Sequence, residues 1–390
     1  MRIPFIKKFK LRLVRRFINW LNFILRICNK ILFTRLKLPP KNILIYKIGN
    51  IGDIVCAIPS FIAIRKNFPK AKIILLTSPG KKGMLGAKEL LDGVRYLDEI
   101  KIYYSDDIAS ARQKLKLLCD LRKSRYDLFI QIPDDWIKLR TLFRNMLAVK
   151  LMGIKSVMGF RIRTVKCFWK TQIDYLIEKN ETENLIDILK LYGIKNDKIE
   201  FEFNISEEFK KNAEKALKKK WDERYDGGGI IVAICPGGNY YEKKWPAEKF
   251  AEAAEYLKNN YNAKIVILGG KNDIQNSEII ERRLHSRNCL SLAGKLGILE
   301  SMAVLKKCDF LLSNDSGLIH IAAAIGKPVV ALFSIRNILG KWFPFGLRHE
   351  MLFHRFLDCD YQTRSCVRKS VENISIKEVK RACDRIISKL

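Results

Sequence analysis

Acidic residues are missing from the start of this chain: the first is Asp53, and residues 1–40 hold none. Proline is scarce as well, 11 in 390 residues, while 48% of the chain is hydrophobic, which excludes a disordered or collagen-like protein. No run of eighteen apolar residues occurs, so no strong membrane span is expected. No small-residue cleavage site follows the basic N-terminus, as a secretory signal would require. The ten cysteines include no C-x-x-C pair. Cys56, Cys235 and Cys308 sit singly in apolar runs, which predicts reduced, buried thiols. Cys359 and Cys366 lie apart from such runs, and two loose thiols are expected there rather than a metal site, because no ligand pair stands beside them. A full G-x-G-x-x-G is absent, which argues against a nicotinamide-dependent oxidoreductase.

Positive charge is what the chain has in excess. Seventy-three Lys and Arg against 41 Asp and Glu give a formal net charge of +32 at pH 7. Such a balance calls for an anionic partner: nucleic acid, a membrane surface or a phosphorylated substrate. Nucleic acid is disfavoured, because no basic-helix or aromatic-platform motif accompanies the charge, which spreads along the whole chain. In residues 1–40, Phe9, Leu13, Phe17, Leu21, Ile24, Ile27 and Ile31 recur at helical spacing, with Arg12, Arg15, Arg16 and Arg26 elsewhere around the helix. This predicts a basic amphipathic helix on an anionic bilayer, where each Lys or Arg contributes about 1 kcal/mol. A helix packed on the protein's own body is the alternative. Pro39-Pro40 mark its end.

The remainder alternates apolar strands with helices. Asn42–Ile48 reads as a strand, Gly49-Asn50-Ile51-Gly52-Asp53 as its turn, and a helix then runs through Arg65 to a strand at Lys72–Thr77. Asp226–Gly229 reads as a linker dividing domains at 41–225 and 230–390. In the second half, strand Ile230–Ile234 leads to the turn Pro236-Gly237-Gly238-Asn239. Lys264–Gly270 ends in a glycine pair, after which Asn272 or Asp273 is placed to reach a ribose. The stretch Asp309–Phe333 reads as strand, polar turn, helix, strand, a βαβ unit with free backbone N–H groups near Ser316 and Gly317. Those groups form a seat for phosphate, and His320 lies one turn farther along; simple capping by Asp315 and Ser316 is the plainer alternative. Ser375–Leu390 reads as a terminal helix, which is open to packing back on the first domain.

Four stretches taken in order, KIGNIGDIVCAIPS, IVILGG together with PGGNYYEKKWPAEKF, LAGKLGILESMAVLKKC and DFLLSNDSGLIHIAAA, resemble glycosyltransferase family 9, the heptosyltransferases of the bacterial lipopolysaccharide inner core. The resemblance covers roughly residues 41–390. It implies an α/β protein of GT-B type, with two Rossmann-like domains, and inverting transfer of a heptose from a nucleotide-sugar, ADP-heptose above all. Gly52, Asp53 and Pro59 match the family's G-D-x-x-x-x-x-P signature, whose aspartate is the general base; Gly49 and Gly52 would shape the acceptor loop. Lys243, two residues before the Trp-Pro pair, would meet the donor's phosphates with Gly238, Asn239, Asp315, Ser316, Gly317 and His320. Many relatives carry Ser or Thr where Gly238 and Asn239 stand, so here phosphate contact falls to backbone N–H groups and the Asn amide. Arg140, Arg144, Lys155, Arg161, Arg163 and Lys166 form a basic set suited to an anionic lipid-linked saccharide acceptor. The resemblance implies no cofactor, and no Asp-x-Asp after a strand suggests a metal. It further implies a cytoplasmic enzyme on the inner face of the cell membrane. A family member using another nucleotide-sugar for a different surface glycan is the near alternative.

Overall fold

The structure is a computed structural model that describes residues 5–36, 38–133, 139–163, 179–221, 229–284, 288–336, 338, 340–354 and 363–390. It divides into two compact units, 1–203 and 204–390.

The first unit opens with α1 (Phe5–Leu32), followed by β1 (Asn42–Tyr46), α2 (Ile51–Asn67), β2 (Lys72–Thr77), the short α3 (Ala87–Leu91) and β3 (Glu99–Ile102). Next come α4 (Ala111–Lys123), β4 (Leu128–Gln131), α5 (Leu139–Leu151), β5 (Ser156–Met158) and α6 (Glu181–Lys190). The strands form one parallel sheet in the order β3-β2-β1-β4-β5. Register is carried by apolar runs: Ile43 faces Ile73 on one side and Leu128 on the other. Ile43, Leu44 and Ile45 are all buried, because helices cover both faces of a parallel sheet and leave no polar side to the strand.

The second unit repeats the plan. It contains α7 (Glu207–Trp221), β6 (Ile231–Cys235), α8 (Ala247–Tyr261), β7 (Lys264–Ile267), α9 (Ile274–Leu284), β8 (Cys289–Ser291) and α10 (Ile298–Lys307). Then follow β9 (Phe310–Asn314), α11 (Gly317–Ala324), β10 (Val329–Leu332), β11 (His349–Leu352), α12 (Arg364–Glu372) and α13 (Ile376–Ile387). Its parallel sheet runs β11-β10-β9-β6-β7-β8. In both sheets the strand order reverses beside the first strand, between β1 and β4 and between β6 and β9. Ligands of doubly wound sheets bind at such reversals, outside the carboxyl ends of the strands.

Two expectations about organisation are corrected. The N-terminal helix is no separate module, since Leu21, Leu25 and Phe33 join Leu44, Phe129 and Met146 in the core of the first unit. Asn22 reinforces this, donating from Nδ2 to the Ile162 carbonyl and accepting from the Ile162 N–H, both at 2.9 Å. The boundary falls at 203/204 rather than at the glycine run, because α7 belongs with the second unit; Lys264 lies over the Trp221 ring. Of the glycine run itself, residues 226–228 lie outside the described residues. Finally, α13 belongs to the second unit. Val379, Ala382, Cys383 and Ile386 enter the second core beside Trp245 and Phe250, and the Trp245 indole donates to the Ile374 carbonyl at 2.9 Å.

The thiols at Cys56, Cys235 and Cys308 are buried and take part in no disulfide, as expected. Cys366 is disulfide-bonded, against the expectation of a loose thiol, while Cys359 lies outside the described residues.

Candidate functional site

In the first unit, β1 ends at Tyr46 and the chain turns at Gly49 before α2. Gly49 has φ +144, and a Cβ there would stand 2.5 Å from the Cβ of Asp53, so only glycine lets that carboxylate fold over the turn. Asp53 is the third residue of α2 rather than its N-cap, which is Asn50. Its Oδ2 accepts the Asn50 N–H at 2.8 Å, and this fixes the carboxylate at the helix N-terminus, where the dipole favours the anion. Gly52 precedes it in the same turn. Lys47, only 2% exposed, follows β1 directly. One turn beyond Asp53 the thiol of Cys56 is held protonated, first by burial and then by the negative charges of Glu181 and Asp53, with Lys47 acting in the opposite sense. Asp53, Lys47 and Glu181 thus share one electrostatic neighbourhood at the β1/β4 reversal.

The basic set expected around an acceptor is split by the structure. Arg163 is almost buried and makes a bidentate pair with Glu181, with both contacts at 2.7 Å. Its charge is spent within the fold. Arg140 and Arg144 are exposed on α5. Lys166 lies outside the described residues.

In the second unit, the turn after β6 and the turn after β9 meet. Lys243 donates to Asp315, and Lys244 pairs with Asp273 at 3.1 Å. Asn314 stitches the two turns: its Oδ1 accepts the Trp245 N–H at 2.9 Å and its Nδ2 donates to the Pro236 carbonyl at 2.8 Å. Ser316 is the N-cap of α11, with extended backbone, and its hydroxyl bonds that of Ser313 at 3.0 Å. Gly317 begins the helix, so the first N–H groups of α11 open beside the Lys243–Asp315 pair. Gly238 is partly exposed and Asn239 exposed on the same loop. His320 is buried in α11, edge-on to Trp342 with centroids 6.2 Å apart.

Asp273, one of the two residues considered for a ribose contact, is engaged within the fold. It is buried, accepts the Gly270 N–H at 3.0 Å, and fills the space where a Cβ on Gly237 would fall, 2.2 Å from its Oδ2. Both glycine turns close over this one carboxylate.

Sequence reasoning missed Asn314 and the arginines around Tyr240 and Tyr241. Arg336 stacks over the Tyr240 ring at 4.1 Å and Arg368 over Tyr241 at 4.4 Å. Arg368 also donates to the carbonyls of Tyr241 and Lys244. Their sequence separation from the loop hides them; the exposed Tyr-Tyr pair beside Lys243 was the available signal.

The family model described as glycosyltransferase family 9 (heptosyltransferase) matches residues 114–352. Among curated proteins, Lipopolysaccharide heptosyltransferase 3 of Escherichia coli is 24% identical over 289 residues, covering 72% of this chain and 80% of the relative. Among solved structures, a glycosyl transferase family 9 protein from Veillonella parvula superposes with a TM-score of 0.72 at 19% identity, over 92% of this chain and 100% of that one. The E. coli ADP-heptose lps heptosyltransferase II gives 0.63 at 18% identity, over 89% and 99%. These likenesses establish the GT-B fold for the two Rossmann-like units. The chain belongs to glycosyltransferase family 9 and is a glycosyltransferase.

Proposed function

We propose that this enzyme transfers a heptose, with inversion, from ADP-heptose to an anionic lipopolysaccharide-core acceptor. The observation that carries the reading is that the two groups such a reaction needs stand at the strand-order reversals of the two sheets. A carboxylate, Asp53, occupies one; a lysine beside an open helix N-terminus, Lys243 and Gly317, occupies the other.

The chemistry follows from these groups. A sugar hydroxyl is a weak nucleophile until its proton begins to leave, and Asp53, oriented by the Asn50 N–H, accepts that proton. As the bond from the anomeric carbon to the diphosphate breaks, negative charge grows on the leaving group. Lys243 and the α11 N–H groups meet that charge with donors already in place. Among the described residues no three His, Cys, Asp or Glu side chains gather into a metal-holding group, and in this reading the lysine and the amides carry the charge compensation.

The acceptor's lipid suggests where the enzyme works. Among the described residues no helix is long and apolar enough to cross a membrane. Instead, α1 leaves Phe9, Leu13, Phe17, Trp20, Ile27 and Ile31 exposed while its opposite face is docked. A second helix adds to this: α5 exposes Leu139, Phe143, Leu147 and Leu151 at four-residue spacing, and its Lys150 donates to the Leu32 carbonyl at the end of α1 at 2.7 Å. Apolar stripes with arginines alongside and no acid before Asp53 suit the anionic inner face of the cell membrane.

Incubation with ADP-heptose and heptose-deficient core lipid, read by mass spectrometry, tests the reading. A product heavier by one heptose with release of ADP is expected. Transfer only from a different nucleotide-sugar overturns the donor assignment.

A further inference from the structure

A cavity of about 500 Å³ lies in the first unit, between α1, the segment after β5 and α6. That volume is within the ~300–1,000 Å³ of ordinary small-molecule sites. Leu11, Val14 and Ile18 of α1, with Ile162 and Ile188, give it an apolar wall. Arg15 and Arg161 supply positive charge at its edge, Arg15 exposed and Arg161 half-buried.

The charges in this cavity do not balance. Arg163 is consumed by Glu181, and Asp187 is taken by Lys179 at 3.0 Å. Among the described residues no carboxylate pairs with Arg161. Burial is the main influence disfavouring its charged form; the Tyr192 phenol acts the other way, and Arg26 and Arg163 add smaller unfavourable contributions. A half-buried guanidinium with no carboxylate partner is costly to a protein unless an anion completes the site. An apolar wall beside that unmet charge selects for an anion attached to hydrocarbon.

We propose that this cavity binds a phosphate-headed amphiphile, its phosphate on Arg161 and Arg15 and the start of its chain along Leu11, Val14, Ile18 and Ile188. The inference does not rest on the donor chemistry or on Asp53. The phosphate could come from a bilayer lipid or from a phosphorylated lipid acceptor, which share this chemistry.

Isothermal titration of the full-length protein with a monoacylglycerol phosphate below its micelle concentration tests the site, with inorganic phosphate and a neutral monoacylglycerol of the same chain as the other two arms. The amphiphile is expected to bind at least about 10-fold tighter than either, since both a charged hydrogen bond and apolar burial contribute. Arg161→Gln should weaken it about 10- to 100-fold. The same change should raise the melting temperature of the ligand-free protein, because it removes an uncompensated cation. Ile18→Trp, which fills the cavity without changing charge, should weaken the amphiphile and leave inorganic phosphate unaffected. Both variants keep the exposed stripe of α1, so loss of binding cannot come from that face. Displacement of the bound amphiphile by heptose-deficient core lipid, but not by phospholipid, would assign the site to the acceptor; the reverse would assign it to the bilayer. Equal affinity for amphiphile and inorganic phosphate overturns the proposal. So does unchanged affinity in Arg161→Gln, or a fall in its melting temperature, which would make Arg161 a structural residue.

Discussion

Lys243 and Asp315 form an ion pair at the β6/β9 reversal, their side chains 12% and 11% exposed. The lysine assigned to the donor's diphosphate is therefore already paired before any donor arrives. A diphosphate must share Lys243 with Asp315 or draw it away. In the proposed reading, Asp315 would oppose donor binding while holding the lysine in place.

Two substitutions separate these effects. Lys243→Ala should weaken ADP binding by about 10-fold or more and slow turnover as well, because the ammonium meets charge in both the bound donor and the transition state. Asp315→Asn should tighten ADP, since the competing anion is gone, while turnover does not rise in step because product leaves more slowly. Calorimetric ADP affinities, with single-turnover and steady-state rates side by side, check both. Weaker ADP binding by Asp315→Asn would show that the carboxylate's positioning role outweighs its competition.

Asp53→Asn should leave folding and donor affinity close to normal and lower transfer ~10²–10⁴-fold, the usual contribution of a positioned base. Asparagine keeps an oxygen for the Asn50 N–H, so the helix start survives. Melting temperature, ADP-heptose affinity and transfer rate on one preparation decide the matter. Near-normal transfer by the folded variant would leave Asp53 with a capping role alone.

Gly49→Ala attacks the same carboxylate through the backbone. At φ +144 with Asp53 lying over it, an added methyl strains the turn by about 1–3 kcal/mol and pushes the side chain aside. Both a lower melting temperature and a large loss of transfer are expected. Full activity at reduced stability would mean that Asp53 tolerates displacement and is no positioned base.

The membrane reading needs surface changes rather than truncation. Removing residues 2–38 would strip Leu21, Leu25 and Phe33 from the core together with both Asn22–Ile162 hydrogen bonds, so such a truncation should unfold the first unit. Replacing Phe17, Trp20 and Ile27 by serine touches only the exposed stripe. Sedimentation with anionic vesicles should then fall sharply at an unchanged melting temperature, and high salt should weaken the wild type only in part. Undiminished sedimentation by the triple variant would place the contact elsewhere.

Much of the architecture was legible in the chain because parallel strands buried on both faces must be continuous apolar runs. Lys72–Thr77 was delimited to the residue, and Asn42–Ile48 and Asp309–Phe333 to within two or so at their strand ends. The β1 and β9 turns were legible for a related reason: a strand that must stop and reverse needs glycine and small polar residues, which stand out against such runs. Periodicity also found the helix at the N-terminus, yet it could not say which side of that helix would be covered. An apolar arc wider than one contact looks the same whether lipid or protein fills it, and only the folded chain shows Leu21 and Leu25 taken by the core and Trp20 left outside. Charge was equally blind to partners. Arg161 and Arg163 read alike in sequence, but Glu181, eighteen residues on, neutralises one and leaves the other facing a cavity. Lys243 and Asp315, 72 residues apart, and the Asn314 stitch between two turns likewise arise only when β6 and β9 become neighbours. Local composition dictates which segments extend, coil or turn, whereas pairing between distant side chains depends on strand order, which no local pattern encodes.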